Sequence, residues 1–105
     1  MSTWLLTATG HEVDLHYAKP AQMVLADVAH SLAQINRFTG HARRPYSVAE
    51  HSLLVADIVE QQLGLGVLAQ LAGLMHDAHE VVCNDQSTPT KRVIGRPWYD
   101  FEHEW

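Results

Sequence analysis

The sequence predicts a mostly α-helical, single-domain protein with a short β-hairpin near its N-terminal end. Along most of the chain, apolar residues recur at steps of three and four, which is the spacing of one helix face. Glycine and proline separate these stretches, and only the first 16 residues alternate as strands do. The chain has 105 residues, of which 47% are hydrophobic and 18% charged, so we expect one ordinary globular domain over residues 1–105.

The N-terminal residues predict the hairpin and the first helix. Val13 and Leu15 alternate with polar residues, and the Thr9-Gly10 pair supplies a turn, so residues 3–16 are expected to form two short strands. Pro20 begins the next unit. Four apolar residues at helical spacing follow it: Leu25, Val28, Leu32 and Ile35.

The middle of the chain predicts two long helices after a loop over residues 37–46. Ser47 and Glu50 match the capping-box pattern, which begins a helix over residues 48–63 with Val48, Val55 and Ile58 on its apolar side. Gly64 and Gly66 end that helix, and a second is expected over residues 67–82. Its predicted inward stripe consists of Leu68, Leu71, Ala72 and Met75.

The C-terminal part predicts a polar turn over residues 84–90 and two short helices. Thr88 is expected to cap the first of these, with Pro89 at its first helical position and Gly95 after its last residue. Pro97 begins the second. No repeat or linker interrupts the chain.

The composition argues against several classes of protein, among them nucleic-acid-binding and membrane-spanning proteins. The formal net charge of -5 argues against a broad nucleic-acid surface. No apolar run approaches the about 18 residues that a membrane span needs. Cys83 is the single cysteine, so no intrachain disulfide can form and a reducing cytoplasm is the expected location.

Among the eight histidines, two stand where a metal site needs them. His51 lies on one predicted helix, and the pair His76-Asp77 lies on the next, so antiparallel packing would bring the three together. A carboxylate beside an apolar stripe is costly unless it is paired or binds a cation. Two imidazoles and one carboxylate form a mixed nitrogen and oxygen set that suits Mn, Fe, Co, Ni or Zn, and suits Ca less. We expect one divalent ion, with Mg as a further candidate. The alternative is a hydrogen-bonded polar core.

Two further carboxylates follow this set. Glu80 is four residues after His76, hence on the same helix face, and Asp85 lies in the next turn. Either can hold and deprotonate a water molecule beside a metal, which is hydrolytic chemistry. The alternatives are a solvated helix-end glutamate and an aspartate that stabilises its own turn.

Taken together, the segments INRF, AEHSLLVADI and LAGLMHDAHEVVCNDQSTPTK resemble the HD-domain phosphohydrolases. The resemblance covers residues 24–104 and is closest to bacterial 5'-deoxynucleotidases and phage-type deoxynucleotide phosphohydrolases. It implies an HD-type helical bundle that hydrolyses a nucleotide, probably a deoxynucleotide. It also implies a role for each matching residue. His51, His76 and Asp77 would be metal ligands, Glu80 would position or activate the attacking water, and Asp85 would be a second catalytic carboxylate near the scissile phosphate. Arg37 and Lys91 would contact the phosphate, and Phe38 would lie beside the sugar.

The sequence departs from this family in one respect. A fourth ligand, an aspartate on a later helix, is expected, but Asp100 is the only aspartate after Asp85 and comes early. We therefore expect a domain without the closing C-terminal helices, weaker metal binding, and a homo-oligomer whose last helix lends a carboxylate. The candidate donors are Asp100, Glu102 and Glu104. Two rival hypotheses stay open: another HD hydrolase, such as one acting on alarmones, and a non-enzymatic HD module for binding or oligomerisation.

Overall fold

The computed structural model describes residues 3–17, 19 and 22–105. The prediction of a mostly helical chain with a small antiparallel hairpin at its start is confirmed. The predicted start of a unit at Pro20 lies outside the described residues. The described elements are β1 (Trp4–Leu6), β2 (Glu12–Asp14), α1 (Leu25–Gln34), α2 (Val48–Gln61), α3 (Val67–Met75), α4 (Glu80–Cys83), α5 (Thr88–Ile94) and α6 (Arg96–Glu104).

A buried aspartate joins the hairpin to α1. Leu5 of β1 pairs with Val13 of β2, and Val13 is buried. Asp27 on α1 is also buried, and its carboxylate accepts hydrogen bonds from the backbone amide and the hydroxyl of Thr9, each at 2.9 Å. Burial raises the pKa of Asp27, but hydrogen bonds from Thr7 and Thr9 outweigh it, so the net pKa is lowered. The carboxylate therefore stays charged and fixes the hairpin turn.

The hydrophobic core lies between α1, the start of α2 and α4. Val28, Leu32 and Val48 are buried, as the helical spacing of α1 predicted for the first two. Partly buried apolar side chains surround them: Met23, Ile35, Ala49, Ala78 and Val81. Ala78 and Val81 come from the segment that carries the HD pair, so the core fixes the position of that segment directly.

The start of α2 is held on both sides. Ser47 and Glu50 form the predicted capping box, because the Ser47 hydroxyl accepts from the Glu50 amide and the Glu50 carboxylate accepts from the Ser47 amide. An isolated antiparallel bridge pairs Asn36 with Ser47. The loop over residues 37–46 is therefore closed at its base, and Arg37, its first residue, lies close to the start of α2.

The predicted single helix over residues 67–82 is wrong. α3 ends at Met75 and α4 begins at Glu80. Between them the chain winds more tightly, with amides bonding the carbonyl three residues back, as from Ala78 to Met75 and from Glu80 to Asp77. Tight turns of this kind are common at helix ends, and here they coincide with the HD pair.

The predicted inward stripe of α3 is also wrong. Leu68 is 84% exposed and Leu71 51% exposed, and Ala72 and Met75 are exposed as well. Instead, Gly73 lies on the side that packs against α2, where an added Cβ would come within 3.2 Å of Val55 Cγ1 and 3.3 Å of Val59 Cγ2. Because α3 is apolar on all sides, apolar spacing alone did not identify its packing face. The side of α3 that packs against α2 is instead the side with the smallest residue, because the two helices lie close together there.

The last two helices follow the predicted breaks with one shift. Ser87, rather than Thr88, caps α5, because its hydroxyl accepts from the Thr90 amide. Gly95 adopts a positive φ of 77° between α5 and α6, a conformation that glycine tolerates best. Among the described residues, no helix is both long and apolar enough to cross a membrane.

Substituting Gly73 tests the packing of α3 on α2. We expect Gly73→Val to lower the free energy of unfolding by about 1–3 kcal/mol, since two valines leave no room for the added methyl groups. The matched control is Ala72→Val on the exposed side of α3, which should cost less than about 1 kcal/mol. Urea unfolding measures both variants. Equal losses would contradict the close contact.

Candidate functional site

The eight residues assigned to the site from the sequence line one cleft of about 410 Å³. They come from four places in the chain: the loop before α2, α2 itself, the stretch from the end of α3 to the start of α4, and the stretch from the turn before α5 into α5. The eight are Arg37, Phe38, His51, His76, Asp77, Glu80, Asp85 and Lys91. The fold thus brings together residues that are up to 54 positions apart in the sequence.

His76 is oriented by the backbone of α3. Its Nδ1 lies 2.6 Å from the Gly73 carbonyl oxygen, so Nδ1 is the ring's hydrogen-bond donor. In the neutral ring, Nε2 then carries the lone pair, and it lies 3.0 Å from Asp77 Oδ2. Two acceptor atoms thus face each other, an arrangement that a proton or a metal ion between them stabilises.

His51 reaches the same point from α2. Its ring centroid lies 5.4 Å from that of His76, and its Nε2 lies 3.8 Å from Asp77 Oδ2. On the other side of the ring, Arg37 Nη1 donates to Nδ1 at 3.1 Å. Burial lowers the pKa of His51, and the charge of Arg37 lowers it further against the opposing effect of Asp77. The ring is therefore kept neutral.

These donors fit a divalent transition-metal ion. One ligand atom from each of His51, His76 and Asp77 lies within 4.8 Å of the others. Ligands of one ion are about 3–4 Å apart at bonds of about 2.1 Å, so shifts of less than about 1 Å would close the set. The carbonyl of Gly73 holds the His76 ring as outer-shell partners hold ligating histidines. Asp77, His79 and Glu80 form a second grouping within the same limit.

Glu80 is the most electrostatically perturbed carboxyl in the cleft. It is 4% exposed, and its Oε2 has no hydrogen-bond partner among the described residues. Burial raises the pKa of Glu80 to about 8, with further increases from the charges of Asp77 and Asp85. A nearby cation would favour the carboxylate and lower this pKa. Glu80 is thus suited to exchange a proton near neutral pH.

Asp85, Arg37 and Phe38 form the opposite wall. Arg37 Nε lies 3.6 Å from Asp85 Oδ2, and the guanidinium carbon lies 4.7 Å from the centre of the Phe38 ring. The backbone is unusual here, since Phe38 and Asn84 both have positive φ, at 60° and 69°. The residue after Arg37 and the residue before Asp85 therefore both have left-handed backbone conformations.

Lys91 also lines the cleft, but Glu102 of α6 holds it. Lys91 Nζ donates to Glu102 Oε1 at 3.0 Å, His79 Nε2 to the same oxygen at 2.9 Å, and Trp98 Nε1 to Oε2 at 3.1 Å. Burial raises the pKa of Glu102, but the bonds from Lys91 and His79 outweigh it and leave the pKa lowered. The sequence analysis missed this junction, because nothing in the spacing of Glu102 and Lys91 pairs α6 with α5.

The expected carboxylate donors of α6 therefore differ in what they contact. Glu102 is engaged within its own chain, whereas Asp100 is 69% exposed and lies 3.6 Å from Arg96 Nε.

Cys83, on α4, is buried, and burial raises the pKa of its thiol to about 12, with further increases from Glu102 and Glu80. A thiol in that state is a poor nucleophile.

Comparison with known proteins finds relatives without an established activity. No protein-family model matches the chain. It is 37% identical over 102 residues to an uncharacterized protein of Rhodobacter capsulatus, a match that covers 94% of this chain and 52% of that relative. It is 40% identical over 72 residues to the uncharacterized protein YfdR of Escherichia coli K12, covering 69% of this chain and 37% of the relative. The chain thus spans about half the length, or less, of these relatives.

Replacing Glu102 with glutamine tests the junction of α5 and α6. At pH 7, we expect the free energy of unfolding to fall by about 1–3 kcal/mol, because charged hydrogen bonds to Lys91 and His79 are lost. The folded-state pKa of Glu102 lies below its ordinary 4.5, so its ionised form stabilises the fold above that pH. This contribution disappears as the pH falls through the lowered pKa.

The measurement is urea unfolding at pH 7 and near pH 3, with Glu104→Gln on the same helix as an exposed control. The difference between wild type and Glu102→Gln should shrink at the lower pH. A difference that is constant with pH would show that the carboxylate charge does not stabilise this junction.

Proposed function

We propose that the chain is a metal-dependent phosphohydrolase of the HD-domain type that acts on a nucleotide, with a deoxynucleotide as the preferred substrate class. The observation that carries the proposal is the convergence of three ligating side chains, a buried unpartnered carboxylate and two cationic side chains on one cleft of about 410 Å³. A cleft of that size suits a small phosphorylated ligand. Because the chain covers about half of its relatives, this activity is proposed for the described domain.

The ligands proposed for the ion are His51 Nε2, His76 Nε2 and the Asp77 carboxylate. Any one divalent ion among Mn, Co, Fe, Ni, Zn and Mg, when bound, supplies an acidified water and offsets phosphate charge. The Gly73 carbonyl keeps the His76 ring in the ligating tautomer. Asp77 provides the negative charge that the two neutral imidazoles lack.

Glu80 is the proposed proton acceptor. Water attacks the phosphorus of the ester, the bond from phosphorus to the leaving oxygen breaks, and the water proton passes to Glu80 Oε2. The leaving oxygen takes up the proton that Glu80 accepted, which returns Glu80 to its carboxylate form, so the products are the alcohol and inorganic phosphate. Asp85 lies close enough to contribute to the charge around Glu80, since it raises the pKa of that carboxyl.

Arg37 and Lys91 are the proposed phosphate contacts, because both cations line the cleft beside the carboxylates. Arg37 carries several N–H donors in a planar fork, which suits the non-bridging oxygens of a phosphate. Phe38 is 52% exposed at the cleft and offers an apolar ring to a sugar. An apolar contact at that point would disfavour a 2'-hydroxyl, which supports a deoxynucleotide over a ribonucleotide.

A second candidate function is a binding or oligomerisation module, including a homo-oligomer of this chain. The observation that favours it is the exposed apolar surface of α2 and α3, where Leu53, Leu54, Leu68 and Leu71 are between 48% and 84% exposed. Large exposed apolar patches mark interaction surfaces. A phosphatase assay with added Mn or Co separates the two, since a purely structural module would release no phosphate from a deoxynucleotide.

The first test of the proposal is metal uptake. The double variant His76→Ala/Asp77→Ala should lose a bound divalent ion, because two of three ligands are removed. The control is His30→Ala, an exposed histidine on α1 outside the cleft. Elemental analysis and titration with Co or Zn measure uptake. Unchanged uptake in the double variant would show that the ion binds elsewhere.

The second test separates catalysis from metal binding. Glu80→Gln should keep the ion but lower turnover of a deoxynucleoside monophosphate by about 10²–10⁴-fold, since the amide cannot accept the proton. Glu60→Gln on the exposed side of α2 is the matched control. Released phosphate and metal content are measured on the same samples. Near-normal turnover in Glu80→Gln would remove Glu80 from the mechanism.

A further inference from the structure

The contact between Arg37 and His51 holds His51 in a tautomer that cannot bind a metal ion through Nε2. An arginine side chain has only hydrogen-bond donors, so at 3.1 Å from Arg37 Nη1, His51 Nδ1 must be the acceptor. A neutral imidazole carries one proton. That proton is therefore on Nε2, the nitrogen that faces Asp77 Oδ2 at 3.8 Å. In this tautomer Nε2 has no lone pair for a metal.

His76 is in the opposite state. Its Nδ1 donates to the Gly73 carbonyl, which leaves the lone pair on Nε2 beside Asp77. One histidine of the pair is thus ready to ligate, while the other must first move its proton from Nε2 to Nδ1. Once His51 Nδ1 carries a hydrogen, two N–H donors would face each other across 3.1 Å and repel. Arg37 must then move away from His51.

We propose that Arg37 is a latch on His51, which metal binding opens, and that the opened latch supplies the phosphate-binding guanidinium. The inference rests on the proposed function, because the released Arg37 acts on the substrate of that same site. Two contacts keep the guanidinium in the cleft after release: its Nε lies 3.6 Å from Asp85 Oδ2, and its carbon lies 4.7 Å from the centre of the Phe38 ring. Because the guanidinium is planar and rigid, it leaves His51 by turning as a whole about its bond to Cδ, with Nε still beside Asp85.

The latch couples two binding events. A phosphate that draws Arg37 Nη1 away frees His51 for the ion, and an ion on His51 frees Arg37 for the phosphate. By linkage, each must raise the affinity for the other by the same factor. Arg37 is thus a positioning residue for the metal and a direct contact for the anion. It cannot bond His51 and the phosphate with the same N–H group at the same time.

Histidine tautomers test the latch directly on the full chain. Long-range ¹H–¹⁵N spectra should show His51 with its proton on Nε2 in the metal-free protein and on Nδ1 after addition of Zn²⁺, while His76 keeps its proton on Nδ1. A metal-free protein with the His51 proton already on Nδ1 would overturn the latch. So would a zinc-loaded protein whose His51 tautomer is unchanged.

Zinc affinity gives a second, independent measurement. Arg37→Met removes the donor but keeps an apolar side chain on Phe38, and should tighten zinc binding by about 10-fold, as expected for loss of a competing charged hydrogen bond. Lys91→Met removes a cation from the same cleft without touching His51, and should change the affinity by less than about 3-fold. Equal effects would reduce the role of Arg37 to charge alone and overturn the latch.

The two proposals fail in different ways. If zinc uptake is normal and Arg37→Met does not raise the zinc affinity, the latch is overturned but the proposed metal-dependent hydrolase is not. A wild-type chain that takes up no zinc, cobalt or manganese overturns both. If Arg37→Met does not fold, the tautomers of the wild-type protein still decide.

Discussion

The close approach of α3 to α2 at Gly73 is the contact on which the geometry of the cleft depends. A Cβ at this position would meet two valine side chains of α2 at 3.2 and 3.3 Å, which is closer than ordinary van der Waals contact, so glycine fits here without displacing either valine. His51 lies on one side of this contact and His76 just beyond it, with ring centroids 5.4 Å apart. The Gly73 carbonyl then sets the ring orientation of His76. Gly73 thus lies at the contact between the two helices that carry these histidines, and its carbonyl orients one of the two rings.

Charge is the second constraint, because several carboxylates lie close together around the cleft. Asp77, Glu80 and Asp85 lie around one cleft, where burial and mutual repulsion raise the pKa of Glu80 to about 8. The two cations of the cleft are already engaged, Arg37 with His51 and Asp85, and Lys91 with Glu102. A divalent ion would relieve this repulsion and, by binding only the folded chain, would stabilise the fold. Metal binding and stability are therefore expected to be coupled in this protein.

The sequence was sufficient for features that local patterns encode. The capping box of Ser47 and Glu50 is a local hydrogen-bond pattern, and the hairpin at Thr9-Gly10 is a local turn, so both could be located without tertiary information. The segment around His76 and Asp77 was located by its motif, although its conformation was wrong. The predicted regular helix is a series of tight turns there.

Features that depend on packing between distant segments could not be predicted. In α3 nearly every residue is apolar, so hydrophobicity did not distinguish Leu68, which is 84% exposed, from the glycine side that contacts α2. Glu102 and Lys91 meet only because α6 folds back along α5. The bond from Arg37 to His51 likewise requires the loop over residues 37–46 to return to α2, which no local pattern states.

The loop that carries Arg37 contains two residues in strained backbone conformations. Phe38 and Thr39 both adopt positive φ, at 60° and 52°, and such conformations in non-glycine residues cost about 1–3 kcal/mol each. The loop is closed by hydrogen bonds from the Arg37 amide to the Tyr46 carbonyl and from the Val48 amide to the Ile35 carbonyl. With both ends fixed beside the buried start of α2, the chain has to reverse at Phe38. The reversal places the guanidinium of Arg37 over the Phe38 ring and within reach of both His51 and Asp85. The strained backbone therefore borders the wall of the cleft to which Arg37 and Phe38 contribute.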